Sequence, residues 1–223
     1  MIIFYETGMT YMIKRSAKYY LIFLLSSCSI DLFESFAYRD IFLFYKGYIS
    51  GFDSDEISQE VFDKYEYSFA NVKIGRGAAS TVVLAYIKDG VYEWRSNDGI
   101  KIYTFNGMII KTVGLQSDFE TTYFNILDES YHGSEHVTYI AFKNPDLYRS
   151  TAYNKVFKHK THTALLERLG GQVNTEIITH SFMLPVIKWD AQNKFYLYND
   201  SVISSEQYVH PNLPKIQMDF YLK

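Results

Sequence analysis

The sequence predicts an all-β chain, a mainly antiparallel meander closing as a sandwich or an open, barrel-like sheet, behind a short helical lead-in and a cleaved signal peptide. Three observations predict it. Tyr and Phe, which favour pleated strands, are abundant: 21 Tyr, 17 Phe and 2 Trp bring the aromatic share to 18%. Short β-rich runs recur along the chain. The residues between them are turn formers, Asp89-Gly90, Asn97-Asp98-Gly99 and Asn106-Gly107, and Asn-Gly is the strongest short hairpin signal because both residues tolerate positive φ. Tight turns join antiparallel neighbours, whereas a parallel sheet needs long crossovers.

In chain order, residues 1–27 read as a lipoprotein signal. Lys14, Arg15 and Lys18 precede the apolar run Tyr19–Leu25, then come the small residues Ser26-Ser27 and Cys28. The run is too short for a spanning helix, which needs about 20 apolar residues. Leu25-Ser26-Ser27-Cys28 resembles the lipobox of bacterial lipoproteins, so Cys28, the single cysteine, is the expected lipid site and the first mature residue. Ser29 follows it, not Asp, which by resemblance to enterobacterial sorting favours the outer membrane. Several acyl chains give stable anchoring where one is marginal. Residues 1–11 do not look like a positive leader, and Met12 is the expected start.

Residues 28–66 form the lead-in. Leu32, Phe33, Phe36, Ala37 and Ile41 suggest a short amphipathic helix. Asp53 and Glu56 make a capping arrangement for a second, with Ile57, Val61, Phe62 and Tyr65 at helical spacing. Residues 67–223 are the β domain. Strands are expected at Val72–Ile74, Thr81–Ile87, Val91–Trp94, Ile100–Phe105 and Met108–Val113. Further strands are expected at Val137–Phe142, Tyr148–Phe157, Val173–Phe182, Val186–Trp189, Phe195–Tyr198, Val202-Ile203 and Ile216–Tyr221. Leu165–Leu169 reads as a short helix ending at Gly170-Gly171 or as a strand edge.

Composition excludes several function classes. With 22 basic and 25 acidic residues the net charge is -3. Removing residues 1–27 takes away three basic residues and one acidic one, leaving 19 against 24, or -5. That balance suits neither nucleic acid nor anionic lipid head groups. One cysteine forbids a disulfide framework, and at the lipid site it leaves no thiol nucleophile. There is no Gly-x-Ser-x-Gly elbow, and Gly75-Arg76-Gly77 lacks the rest of a dinucleotide loop. No catalytic residue, metal site or cofactor is expected. The pairs His132/His136 and His159/His162 lack a third ligand, and Lys155, Lys158 and Lys160 surround His159. Asp118, Glu120, Asp128 and Glu129 would make a glycosidase pair only if the fold joined two of them. Tyr92, Trp94, Tyr103, Trp189, Tyr196 and Tyr198 could stack on sugar, of which Tyr92, Trp94, Trp189 and Tyr198 are the leading candidates. The competing role for these rings is core and cross-strand packing.

Glu93-Trp94-Arg95-Ser96-Asn97-Asp98-Gly99, Asn106-Gly107 and Ile110-Lys111-Thr112-Val113-Gly114-Leu115 together resemble the YjbF/GfcB family of bacterial lipoproteins. Phe69–Gly75, Val82–Tyr86, Phe195–Asp200, Ser205-Glu206-Gln207, Pro211 and Pro214 extend the likeness, which is loosest over 118–190. Tyr198 stands where Trp is expected, and Lys111 where Arg is common. The resemblance implies a mainly antiparallel β fold and a lipid-anchored protein on the periplasmic face of the outer membrane. It implies a role accessory to capsule or exopolysaccharide export, with a large outer-membrane barrel and a small periplasmic protein as partners. The polysaccharide itself is a further candidate ligand. The resemblance implies no enzyme activity. It marks Trp94, Arg95, Ser96, Gly99, Gly107 and Gly114 as motif positions, structural or facing a partner. The alternatives are a periplasmic glycosidase-like enzyme and a carbohydrate-binding module.

Overall fold

A computed structural model describes residues 57, 59–166 and 171–223, all within the compact unit Gly47–Lys223. Cys28, Met12, the signal peptide, the expected helix over residues 32–41 and the Asp53/Glu56 cap lie outside the described residues.

Among the described residues one helix, α1 (Gln59–Lys64), precedes twelve strands. They are β1 (Phe69–Ile74), β2 (Ser80–Lys88), β3 (Val91–Arg95), β4 (Lys101–Phe105), β5 (Met108–Val113) and β6 (Phe119–Thr121). Then follow β7 (Glu135–Phe142), β8 (Leu147–Leu166), β9 (Gly171–Leu184), β10 (Trp189–Tyr198), β11 (Ser201–Gln207) and β12 (Ile216–Tyr221). Each strand pairs antiparallel with its sequence neighbours, and β1 pairs with β12, so the meander closes into a barrel. Of the closures the sequence allowed, the structure shows the barrel, and it is closed rather than open.

The turns form where turn chemistry placed them. Asp89 and Gly90 take φ of 52° and 78°, and Asn106 and Gly107 take 47° and 78°, the left-handed pair that a two-residue hairpin requires. One expected strand is absent: Pro185–Ile187 form a 3-10 turn, and β10 starts only at Trp189. Pro185 fixes φ and lacks an N–H, so the chain cannot pair there and reverses instead. Leu165 and Leu166 belong to β8, as a strand edge. β8 runs well past the span expected for it, to Leu166, while β9 exceeds its expected span by two residues at each end; the two pair with each other beyond their outer neighbours.

Alternation fills the interior. On β12 Ile216, Met218 and Phe220 are buried; on β8 Ala152, Asn154 and Val156 are buried while Tyr153, Lys155 and Phe157 are exposed. Twelve strands could enclose a lumen, but large side chains occupy it: Trp94, Phe182, Phe195 and Phe220 all lie in the core. What remains is a cavity of about 30 Å³ near Asn154 and His180, room for roughly one or two waters. The β4–β5 turn contributes to the filling. It folds against β11, where the Gln207 side chain accepts from Ile109 N–H (2.9 Å) and donates to the Gly107 carbonyl (2.8 Å).

α1 has a specific task. Phe69 and Tyr221 are outward-facing partners whose rings stack at 4.7 Å. Phe62 covers both, at 6.0 and 5.9 Å, and Tyr65 lies 4.6 Å from Phe69. The helix thus buries an apolar pair on the outside of the wall.

Candidate functional site

The motif residues divide between core and rim. Trp94 is fully buried, and its indole N–H donates to Thr104 Oγ1 at 2.8 Å. Tyr92 and Phe220 pack on it at 6.0 and 5.6 Å, so Trp94 has no ring face open to a sugar. Trp189 is half-buried and held edge-on between Phe142 (5.8 Å) and Phe182 (5.0 Å). Tyr92 and Tyr198 are half-buried as well. These four rings do not form one exposed platform: Trp94 is buried and the other three are half-buried.

Arg95 reaches outward and pairs with the largely covered Glu93 (Nε–Oε1 2.6 Å). Ser96 organises the β3–β4 turn. Its hydroxyl contacts Asp98 Oδ1 and accepts from Ile100 N–H (3.0 Å), and its backbone N–H donates to the Ile100 carbonyl (3.0 Å). The Ser96 hydroxyl holds the exposed Asp98 carboxyl below the ordinary range. Gly99 sits in this turn at φ 89°, beside Gly114 at φ 96°. Gly107 stands apart, at the β4–β5 turn against Val202 of β11.

The stretch after Gly114 leads to the weakest seam in the wall. β6 has three residues and pairs with β5 through one registered couple, Lys111 and Glu120, whose side chains meet at 3.0 Å. Asp118 bridges the gap. Its carboxylate accepts from Gly114 N–H and Leu115 N–H, both at 3.0 Å, and from the Thr112 hydroxyl at 3.1 Å. Its carbonyl accepts from Lys143 N–H at 2.9 Å. The β7–β8 turn is tied in through Asn144, which donates to the Gln116 carbonyl (2.9 Å) and accepts from the Asn212 side chain (3.1 Å).

A groove of about 380 Å³ lies over this seam, within the size range of ligand sites. Lys111, Thr112 and Val113 form one wall. Ala141, Phe142 and Leu147 give it an apolar floor, and Lys143, Asp146 and Tyr148 stand on the other side. Tyr148 is 89% exposed. Lys143 and Asp146 make no ion pair among the described residues. An apolar floor, an open ring and unpaired polar heads can grip a polar chain that also has apolar faces. The carboxylates singled out as an acid pair have other work here: Asp118 holds two backbone N–H groups, and Glu120 is paired with Lys111. Asp128 accepts from Ser130 N–H and caps the turn Glu129–Tyr131.

The histidines are scattered. His132 Nε2 lies 3.0 Å from the Ile126 carbonyl and His159 Nε2 lies 2.8 Å from Thr179 Oγ1. His136 points inward against Phe124, ring centroids 4.0 Å apart. His180 is fully inside, with Nε2 2.9 Å from Asn154 Oδ1, and burial holds its pKa down at about 3. No group of three or more metal-ligating side chains occurs among the described residues.

Residues 46–221 match the family described as group 4 capsule polysaccharide lipoprotein GfcB, YjbF. The chain belongs to the YjbF/GfcB family. The crystal structure of the hypothetical lipoprotein YmcC from Escherichia coli K12 superposes with a TM-score of 0.64 at 19% identity, over 85% of this chain and 97% of that one. That likeness shows a shared fold. A lipoprotein candidate from Parabacteroides distasonis aligns over 71% of this chain and 95% of its own at 13% identity, with a TM-score of 0.33. No curated protein matches the sequence. The groove went unnoticed in the sequence because its walls come from three separate stretches, 111–120, 141–143 and 146–148. Only Lys111–Val113, part of the family motif, gave a local signal.

Proposed function

We propose that this YjbF/GfcB-family lipoprotein is an accessory to capsule or exopolysaccharide production. In this reading a lipid on Cys28 holds it at the periplasmic face of the outer membrane, and it acts by binding rather than by catalysis. The seam groove is the binding site for polymer, with Tyr148 as a stacking ring and Lys143 and Asp146 as hydrogen-bonding heads. Other export proteins, an outer-membrane barrel and a periplasmic partner, are its protein contacts. The observation that carries this is the convergence of Lys111, Thr112 and Val113 of the family motif with an open, exposed ring on one groove. The packed interior supports an outer site, since a cavity of about 30 Å³ holds no sugar.

Deletion of the gene, scored for surface polysaccharide, tests the reading. We expect loss of polymer in the deletion and full restoration by the wild-type chain. A Tyr148→Ala, Lys143→Ala double variant present at normal amounts should restore little. Cys28→Ala should fail to restore it. Normal polysaccharide in the deletion would sink the proposal.

A further inference from the structure

The closed meander decides which strand ends share a rim. With every neighbour antiparallel, the starts of odd-numbered strands and the ends of even-numbered strands lie on one side. That rim holds Phe69 at the start of β1, Lys88 at the end of β2 and Tyr221 at the end of β12, three adjacent strands. α1 docks there through Phe62 and Tyr65, and Ile57 N–H donates to the Tyr221 hydroxyl at 3.3 Å. Ile57, the first described residue, therefore lies at this rim. Cys28 lies 29 positions earlier, a tether of at most about 100 Å if fully extended.

The same sector carries Tyr65, Tyr67, Tyr86, Ile87 and Leu222, each between 43% and 65% exposed. Five large side chains with apolar bodies thus gather on or beside three neighbouring strands, at the rim where Ile57 lies. Three of them are tyrosines, whose rings settle at the acyl boundary while the hydroxyl stays among head groups. The surrounding charges nearly balance, Lys64, Lys88 and Lys223 against Glu60, Asp63, Glu66 and Asp89. Attraction at this rim is accordingly apolar rather than electrostatic.

We infer that the β12–β1–β2 rim seats on the bilayer, with Tyr67, Tyr86 and Ile87 entering the head-group layer. The barrel then stands with its opposite rim, and the Tyr148 groove, away from the membrane. The inference rests on the lipid-anchor reading but not on polysaccharide binding.

The test uses the lipidated mature chain, whose own cysteine thiol is blocked by its thioether-linked diacylglyceryl group. Tyr67→Cys, Tyr86→Cys and Tyr148→Cys are made singly and labelled with nitrobenzoxadiazole. Each is reconstituted in phosphatidylethanolamine–phosphatidylglycerol vesicles. All three positions are exposed, so the variants retain the fold, and circular dichroism checks this. Labels at 67 and 86 should shift to the blue and lose most of their emission to nitroxide-bearing lipids, unchanged by salt, while the label at 148 stays aqueous. Vesicle flotation reads the anchor separately: a chain that does not float removes the tether and the inference with it. A chain that floats with 67 and 86 as aqueous as 148 overturns the rim assignment alone. So does shielding of 67 and 86 that persists in detergent through contact between copies.

Discussion

Gly107 and Gly99 are both left-handed turn glycines, yet they answer to different constraints. A Cβ on Gly107 would lie 2.5 Å from Val202 Cγ1, whereas one on Gly99 would meet nothing within 4 Å. Gly99→Ala should cost about 1–2 kcal/mol, the backbone term alone. Gly107→Ala adds overpacking and should cost about 2–5 kcal/mol in urea unfolding. Val202→Ala added to Gly107→Ala should recover part of the loss. Equal costs for the two glycines would refute the packing argument. Among the buried histidines, burial lowers the pKa of His180 from 6.5 to about 3, and those of His136 and His210 shift in the same direction. The unfolded chain takes up these protons first, near pH 6.5, so their contribution is complete above that value and declines as pH falls toward 3. His180 alone should remove on the order of 2 kcal/mol by pH 5. Urea midpoints measured from pH 7.5 to 4.5 should fall accordingly, and His180→Gln should flatten the slope; a slope unaltered by that change would exclude His180 as its source.

At the scale of elements, the barrel wall is uneven. β8 and β9 share a long ladder, while β5 and β6 share one registered couple supported by the Asp118 carboxylate. Amides of Phe119–Thr121 should therefore exchange through a local opening well below the global free energy, and mid-strand amides of β8 and β9 only on global unfolding. Hydrogen exchange followed by NMR checks this, and equal protection across the seam would contradict it. The same elements show what was legible. Turns with Asp-Gly and Asn-Gly lie at the predicted positions because their φ demands are local and few residues meet them. The strands around these turns were found within a residue or two. β9 was found within two residues at each end, but the outer part of β8 after Phe157 was missed, since runs such as Lys158–Thr163 mix charge and hydroxyls and have β9 as their only strand partner. Val186–Trp189 looked apolar enough for a strand, but Pro185 before it prevents pairing. The candidate site was legible only at Lys111–Val113; Tyr148 looked like one strand aromatic among many, and its 89% exposure depends on a turn tied to loops some 30 and 70 positions away.

For the whole molecule, closure is the one feature no local pattern encodes. β1 and β12 are ordinary strands in sequence; their pairing follows from ten intervening antiparallel neighbours and the curl they accumulate. Closure also shapes the core, since Ile216, Met218 and Phe220 line it from the last strand. Deleting Ile216–Lys223 should therefore abolish cooperative unfolding and near-UV dichroism rather than trim a tail. A truncated chain with a sharp, wild-type-like transition would show the seam to be dispensable.

That seam has a consequence in time. Phe69 pairs with Tyr221, 152 positions away, and every other strand pairing joins sequence neighbours. A chain made N-terminus first can zip each hairpin as it emerges, but the free side of β1 has no partner until β12 appears. Through synthesis it is an exposed, unsaturated strand edge, the kind that pairs with whatever strand it meets. The nascent barrel is thus open to misassembly from the emergence of β1 until that of β12, and β12 acts as the latch that ends that exposure.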